Sequence, residues 1–119
     1  MAAVAKISLR AKLEDLGIPQ EIISQFSTVP TETQYSYLVQ TTTDVGQVLN
    51  LGGVTTVQGI IILAKANDLA VDTSYNAVFS EEITIAEGQF SVFVPKGTVY
   101  VKNSVALEVC TFEYLILGT

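Results

Sequence analysis

A chain of 119 residues with one cysteine and no histidine is long enough to build a core without disulfides or a structural metal, and it lacks the commonest metal ligand and general base. Twelve acidic residues against six scattered basic ones (Lys6, Arg10, Lys12, Lys65, Lys96, Lys102) give a formal net charge of −6, which argues against direct nucleic-acid binding. Hydrophobic residues reach 49% and charged ones only 15%, yet no apolar run approaches the roughly 20 residues of a membrane-spanning helix, so the surplus is expected to be covered by other protein copies.

The opening MAAVAKISLRAKLEDLG has no apolar core of signal-peptide length, so export by the usual route is not expected and synthesis in the cytoplasm is. Leu9, Leu13 and Leu16 recur at i, i+4 and i+7 with charged residues between them, which predicts a short amphipathic helix capped by Ser8 and stopped by a left-handed Gly17. Pro19 would start a second helical turn carrying Ile22, Ile23 and Phe26 on one side. The polar stretch STVPTETQ reads as a linker, giving an N-terminal helical arm and linker over 1–33 and a β-sandwich domain over 34–119.

From Tyr35 onward β-branched and aromatic residues dominate, with turn residues at short intervals. Strands are predicted at 35–42, 47–51, 57–65, 69–73, 82–85, 90–94, 98–102 and 106–117, a mainly β chain whose antiparallel sandwich or jelly roll has about eight strands. Phe90, Val92 and Val94 alternate with Ser91, and Ile83 and Ile85 flank Thr84, as half-buried strands do. Ile60 to Leu63 and Tyr114 to Leu117 are apolar on both faces, which asks for cover from both sides. GIIILAKANDLAV (59–71) is echoed by GTVYVKNSVALEV (97–109), each read as a strand opened by glycine and closed by a hairpin tip at Lys-Ala-Asn-Asp or Lys-Asn-Ser, from a vocabulary that hairpins share and without an internal repeat.

No spacing supports catalysis. Cys110 sits between Val109 and Thr111 as a small buried hydrophobe, and the neighbours Glu81 and Glu82 point to opposite faces of a strand, where they cannot act as a pair. Asp68, Asp72, Glu81, Glu82 and Glu87 match no calcium-loop pattern, and Gly52-Gly53 lacks the lysine and the following helix of a phosphate cradle. No catalytic, cofactor-binding or metal-binding residue is therefore assigned and no cofactor is expected. The tyrosines Tyr35, Tyr37, Tyr75, Tyr100 and Tyr114 are ordinary strand filling or stacking platforms for a sugar.

The segments LGGVTTVQGIIILAKAND and EGQFSVFVPKGTVYVKNS, followed by a closing strand that ends in glycine, resemble over roughly 48–119 the small virion proteins of tailed bacteriophages. That resemblance implies a compact jelly roll mounted on a capsid or tail, made in the host cytoplasm and located in the virion. Together with the apolar surplus it gives the expected function: a capsid decoration or cement-type structural protein, no enzyme, that associates with itself as a homotrimer and docks on the major capsid protein or another virion protein, without nucleic-acid or membrane partners. The partner-binding residues would be Leu9, Leu13, Leu16, Ile22, Ile23 and Phe26, laid as a helix into a groove. The alternative is a recognition module of a fibre or spike, binding host-surface carbohydrate or protein through the loop at 72–76 and its Tyr75.

Overall fold

In the segment AKISLRAKL, Ala5, Ile7 and Leu9 alternate with Lys6, Ser8 and Arg10, and a period of two is the signature of a strand. The computed structural model describes residues 4–14, 17, 20–41 and 44–119. Its chain divides into two units, Met1–Thr31 and Glu32–Thr119. In the first unit the expected helical arm is overturned: β1 (Ala5–Leu13) pairs antiparallel with β2 (Gln20–Thr28), from Ala5 opposite Thr28 to Leu13 opposite Gln20. None of the described residues is helical. Leu9 and Leu13 are four apart, a spacing that keeps two residues on one face of a helix and of a strand alike, so Ala5 and Ile7 decide the period. Gly17 takes the left-handed backbone expected of it, with φ of 68°, but in the connection between two strands. Ser8, expected as a cap, lies mid-strand opposite Gln25, while Leu16 and Pro19 lie outside the described residues. The expected linker shrinks to 29–31, because β2 runs to Thr28 and β3 begins at Glu32.

The second unit holds β3 (Glu32–Gln40), β4 (Gln47–Val48), β5 (Val57–Ala66), β6 (Leu69–Asp72), β7 (Ile83–Ile85), β8 (Phe90–Phe93), β9 (Tyr100–Asn103) and β10 (Thr111–Gly118). The pairings β3 with β10, β4 with β9, β5 with β8 and β6 with β7 are those of one long hairpin whose halves are 3-4-5-6 and 7-8-9-10. Wrapping that hairpin adds β10 to β5 and β6 to β9, and closes two four-stranded antiparallel sheets, β3-β10-β5-β8 and β4-β9-β6-β7. The echoed segments 59–71 and 97–109 are therefore not hairpin tips. Each leaves one sheet and enters the other, the first through Asn67 in left-handed backbone at φ of 62° and the second through residues 104–110. The strand expected over 106–117 begins at Thr111, because Glu108 donates its N–H to Val105 O and Leu107 stands at φ of 68°.

The two sheets share one core. Ile60, Ile62 and Ala64 of β5 and Phe112, Tyr114 and Ile116 of β10 meet Leu69 and Val71 of β6, Ile85 of β7 and Val101 of β9. Tyr114 buries its ring and donates its hydroxyl to Asn50 O at 2.8 Å, so the polar tip is not stranded. Phe112 pairs with Val39 and Tyr114 with Ser36, which leaves Tyr37 and Leu38 opposite the single Glu113. This bulge, with Leu38 at φ of 53°, resets the alternation so that Gln34, Ser36 and Val39 turn inward while Tyr35, Tyr37 and Leu38 stay exposed. At the end of β10, a Cβ on Gly118 would stand 2.1 Å from Thr56 O, so only glycine permits that close approach.

Replacing Ile62, fully buried, by alanine is expected to cost about 2–5 kcal/mol in urea unfolding. Ile61→Ala, on the outward face of the same strand, should cost less than half as much, and the opposite order would place the wrong face of β5 inside.

Candidate functional site

The sheets differ in what covers their outer faces. On β4-β9-β6-β7 the outward residues include Tyr100, Lys102, Ala70 and Asp72, and the connection between β6 and β7 folds over them. Tyr75 stacks on Tyr100 with centroids 3.6 Å apart, donates its N–H to Thr98 O and its hydroxyl to Ala77 O. Lys102 Nζ sits 5.5 Å from the centre of the Phe79 ring. Beneath this flap Ala70 and Asp72 are buried. Asp72 is its anchor: Oδ1 accepts the Ser74 N–H at 3.0 Å and Oδ2 the Ser80 N–H at 2.9 Å. The Ser80 N–H is the main cause that holds the Asp72 carboxyl below the ordinary carboxylate range, with the Ser74 N–H adding to it and burial opposing. Glu82 receives the hydroxyls of Thr73 and Ser74, which tightens the same turn.

No such flap covers β3-β10-β5-β8 among the described residues of the second unit. Cross-strand register aligns Tyr35, Leu115, Ile61 and Val92 in one row, and Glu113, Leu63 and Phe90 in the next. Tyr35 and Phe90 are each about 60% exposed and Val92 is 44% exposed. The half-buried face expected of β8 is thus inverted: Phe90, Val92 and Val94 point out, and Ser91 and Phe93 turn toward the core. The reason is register, since Val92 pairs with Ile61 and Phe90 with Leu63, both on the outward side of β5. Glu113 is the acid on this face, and its charge is met in place by Lys65 Nζ at 3.0 Å and the Tyr35 hydroxyl at 2.8 Å. Lys65 first and Tyr35 second hold Glu113 below its ordinary range, and the same bond raises Tyr35. Strands β3 and β8 are the two edges of this sheet.

The remaining acidic and thiol candidates hydrogen-bond within the fold. Asp68 Oδ1 accepts the Glu87 N–H, and Glu81 Oε1 accepts the hydroxyls of Thr84 and Ser104. Among the described residues no group of three or more His, Cys, Asp or Glu could hold a metal ion. Cys110 is fully buried just before β10, burial pushes its thiol up, and its Sγ donates to Asp68 O at 2.9 Å.

The hairpin places the predicted partner-binding residues differently from a helix. Leu9 faces Ser24 across the ladder, Leu13 faces Gln20, Ile22 faces Ala11, Ile23 faces Arg10 and Phe26 faces Ile7. Strand parity sets Leu9 and Ile23 on opposite faces of the ribbon. Leu9 is 50% exposed and Ile23 71%, and Arg10 pairs with Glu21 at 3.2 Å. Leu16 lies outside the described residues. The double apolarity of Ile60 to Leu63 and of Tyr114 to Leu117 announced an outer face of this kind, and the register adds Tyr35, Phe90 and Val92 to it.

Comparison of the chain with protein-family models, curated proteins and solved structures gave no match.

Because Asp72 has a lower carboxyl pKa folded than unfolded, its contribution to stability is present at neutral pH and lost as the pH falls through the carboxylate range. Asp72→Asn is expected to lower the thermal midpoint at neutral pH and to leave a shallower acid decline than the parent chain shows. Circular dichroism melts at neutral and acid pH check this, and two coincident acid declines would remove Asp72 as the anchor.

Proposed function

We propose that the chain is a virion structural protein of the capsid decoration or cement type, with no catalytic role, which self-associates as a homo-oligomer, a trimer in the simplest case, and docks on a protein lattice. The uncovered apolar face of β3-β10-β5-β8 carries this reading. A monomer would leave Tyr35, Tyr37, Phe90 and Val92 around the apolar rows of Leu115, Ile61 and Leu63 in water, whereas the opposite sheet spends a ten-residue connection on covering its own face. Glu113 is already paired and hydrogen-bonded, so a partner closing over the face would strand no charge.

The second unit is, on this reading, a jelly-roll sandwich. Lettering β3 to β10 as B to I turns the two strand orders into B-I-D-G and C-H-E-F, the order of a rolled eight-strand hairpin. The N-terminal ribbon is the arm that meets the lattice, as a β-hairpin in place of the helix in a groove. A two-stranded hairpin is marginal by itself, which suits an element completed by a partner. Tyr75, the residue on which a glycan-binding reading turned, already spends one ring face on Tyr100 and its hydroxyl on Ala77.

Light scattering at micromolar protein is expected to give a stable oligomer. Val92→Lys combined with Tyr37→Lys should return it to monomer mass with the melting curve little changed, since both side chains point to solvent. A monomeric parent chain sinks the reading. A truncated chain of residues 32–119, which keeps the whole core, is expected to retain the oligomer mass; its loss would make the arm the oligomerising element.

A further inference from the structure

We propose that copies of this chain also meet head to tail, the tip of the connection between β9 and β10 seating Leu107 in a cleft at the other end of a second copy. This rests on the self-association just proposed and supplies a directional contact for it.

Leu107 is 83% exposed and stands at φ of 68°, a left-handed conformation that leucine adopts at a cost. It is held there. Asp44 Oδ1 accepts the Leu107 N–H at 3.0 Å and an Asn103 Nδ2 hydrogen at 2.8 Å, while Asn103 Oδ1 accepts the Asp44 N–H at 2.9 Å. Asn103 Nδ2 also donates to Val105 O at 2.8 Å, and this side chain is only 2% exposed. A polar network built on the buried Asn103 thus fixes an apolar side chain in solvent, with Val105 and Val109 two residues to either side along the chain and Val45 beside Asp44, all 41–55% exposed.

The complement lies at the far end of β9. A cleft of about 440 Å³ opens between the connections 49–56 and 94–99, with Val48, Leu51, Val57, Pro95 and Val99 in its walls. Val99 and Ser104 bracket β9, which separates cleft and tip by roughly 16 Å at the usual strand rise. With its connection tied to Asp44, Asp68 and Thr41, Leu107 cannot turn back into its own cleft, so the occupant comes from another molecule.

Charge selects a second copy. Among the described residues of the connections at the tip's end, 44–46, 67–68, 86–89 and 104–110, are Asp44, Asp68, Glu87 and Glu108 and no lysine or arginine. Among the described residues lining the cleft Lys96 alone is charged, it is exposed, and it enters no ion pair among the described residues. Seating Leu107 brings Glu108 of one copy toward Lys96 of the next. Two different patches make a heterologous contact, which closes into a ring such as a trimer when the rotation permits.

Two populations, Leu107→Cys and Thr98→Cys, the second exposed in the cleft lining, are mixed and oxidised mildly, with the parent chain and its buried Cys110 as the blank. A disulfide-linked dimer is expected in the mixture and not in either population alone. In parallel, Leu107→Gly relieves the backbone strain and removes the knob, so the fold should be at least as stable while association weakens by roughly tenfold or more. A parent chain that is oligomeric by light scattering, yet gives no mixed disulfide and no weakening in Leu107→Gly, overturns the head-to-tail contact alone. A monomeric parent chain overturns self-association with it.

Discussion

The central constraint is the pair β5 and β10, each hydrogen-bonded on both edges and apolar on both faces. Side chains alternate along a strand, so a run such as Ile60, Ile61, Ile62, Leu63 sends every second residue out of the core that the others fill. Burying Ile60 and Ile62 against Leu69 and Val71 commits Ile61 and Leu63 to the outer face, and Tyr114 and Ile116 commit Leu115 in the same way. An apolar exterior is thus the geometric consequence of the core, once both strands are central in one sheet. Val92 and Phe90 then extend it to the edge, because the register of β8 matches them to Ile61 and Leu63.

The second sheet shows what the chain does where such a face is to be hidden within one molecule. Its connection between β6 and β7 carries Tyr75 and Phe79 over Tyr100 and Lys102, and the buried Asp72 ties both ends of the flap through two backbone N–H groups. Carboxylates serve the same purpose elsewhere: Asp44 fixes the Leu107 loop and Asp68 the turn at Glu87. Glu81 and Glu82 act alike, accepting the hydroxyls of Thr84 and Ser104 and of Thr73 and Ser74, so these carboxylates fold the connections that join the strands.

The β character of residues 34–119 was legible because it rests on local composition, and so was the double apolarity of β5 and β10. The arm was not read correctly: the spacing of Leu9 and Leu13 satisfies a helix and a strand equally, and the alternating Lys6, Ser8 and Arg10 carried the distinction. Which face of β8 is inside is a matter of pairing with residues thirty positions away, so alternation grouped Phe90 with Val92 without saying where they point. The same limit hid the sheet crossings, since Asn67 announces a turn but not the sheet entered next. Asp44 and Asn103 are 59 residues apart and share no sequence signal.

The bulge at Tyr37 and Leu38 links these threads. Without it, strict alternation from Gln34 through Ser36 would bring Leu38 inward and leave Val39 outside. The extra residue opposite Glu113 restores Val39 to the core and keeps Tyr37 and Leu38 together on the exterior, beside the Tyr35, Glu113 and Lys65 network. A leucine in left-handed backbone is a costly way to terminate an ordinary solvated face. It is an intelligible way to widen an apolar one at its edge while the single carboxylate among those residues stays bonded on both sides, and a second left-handed, exposed leucine, Leu107, stands in the connection between β9 and β10.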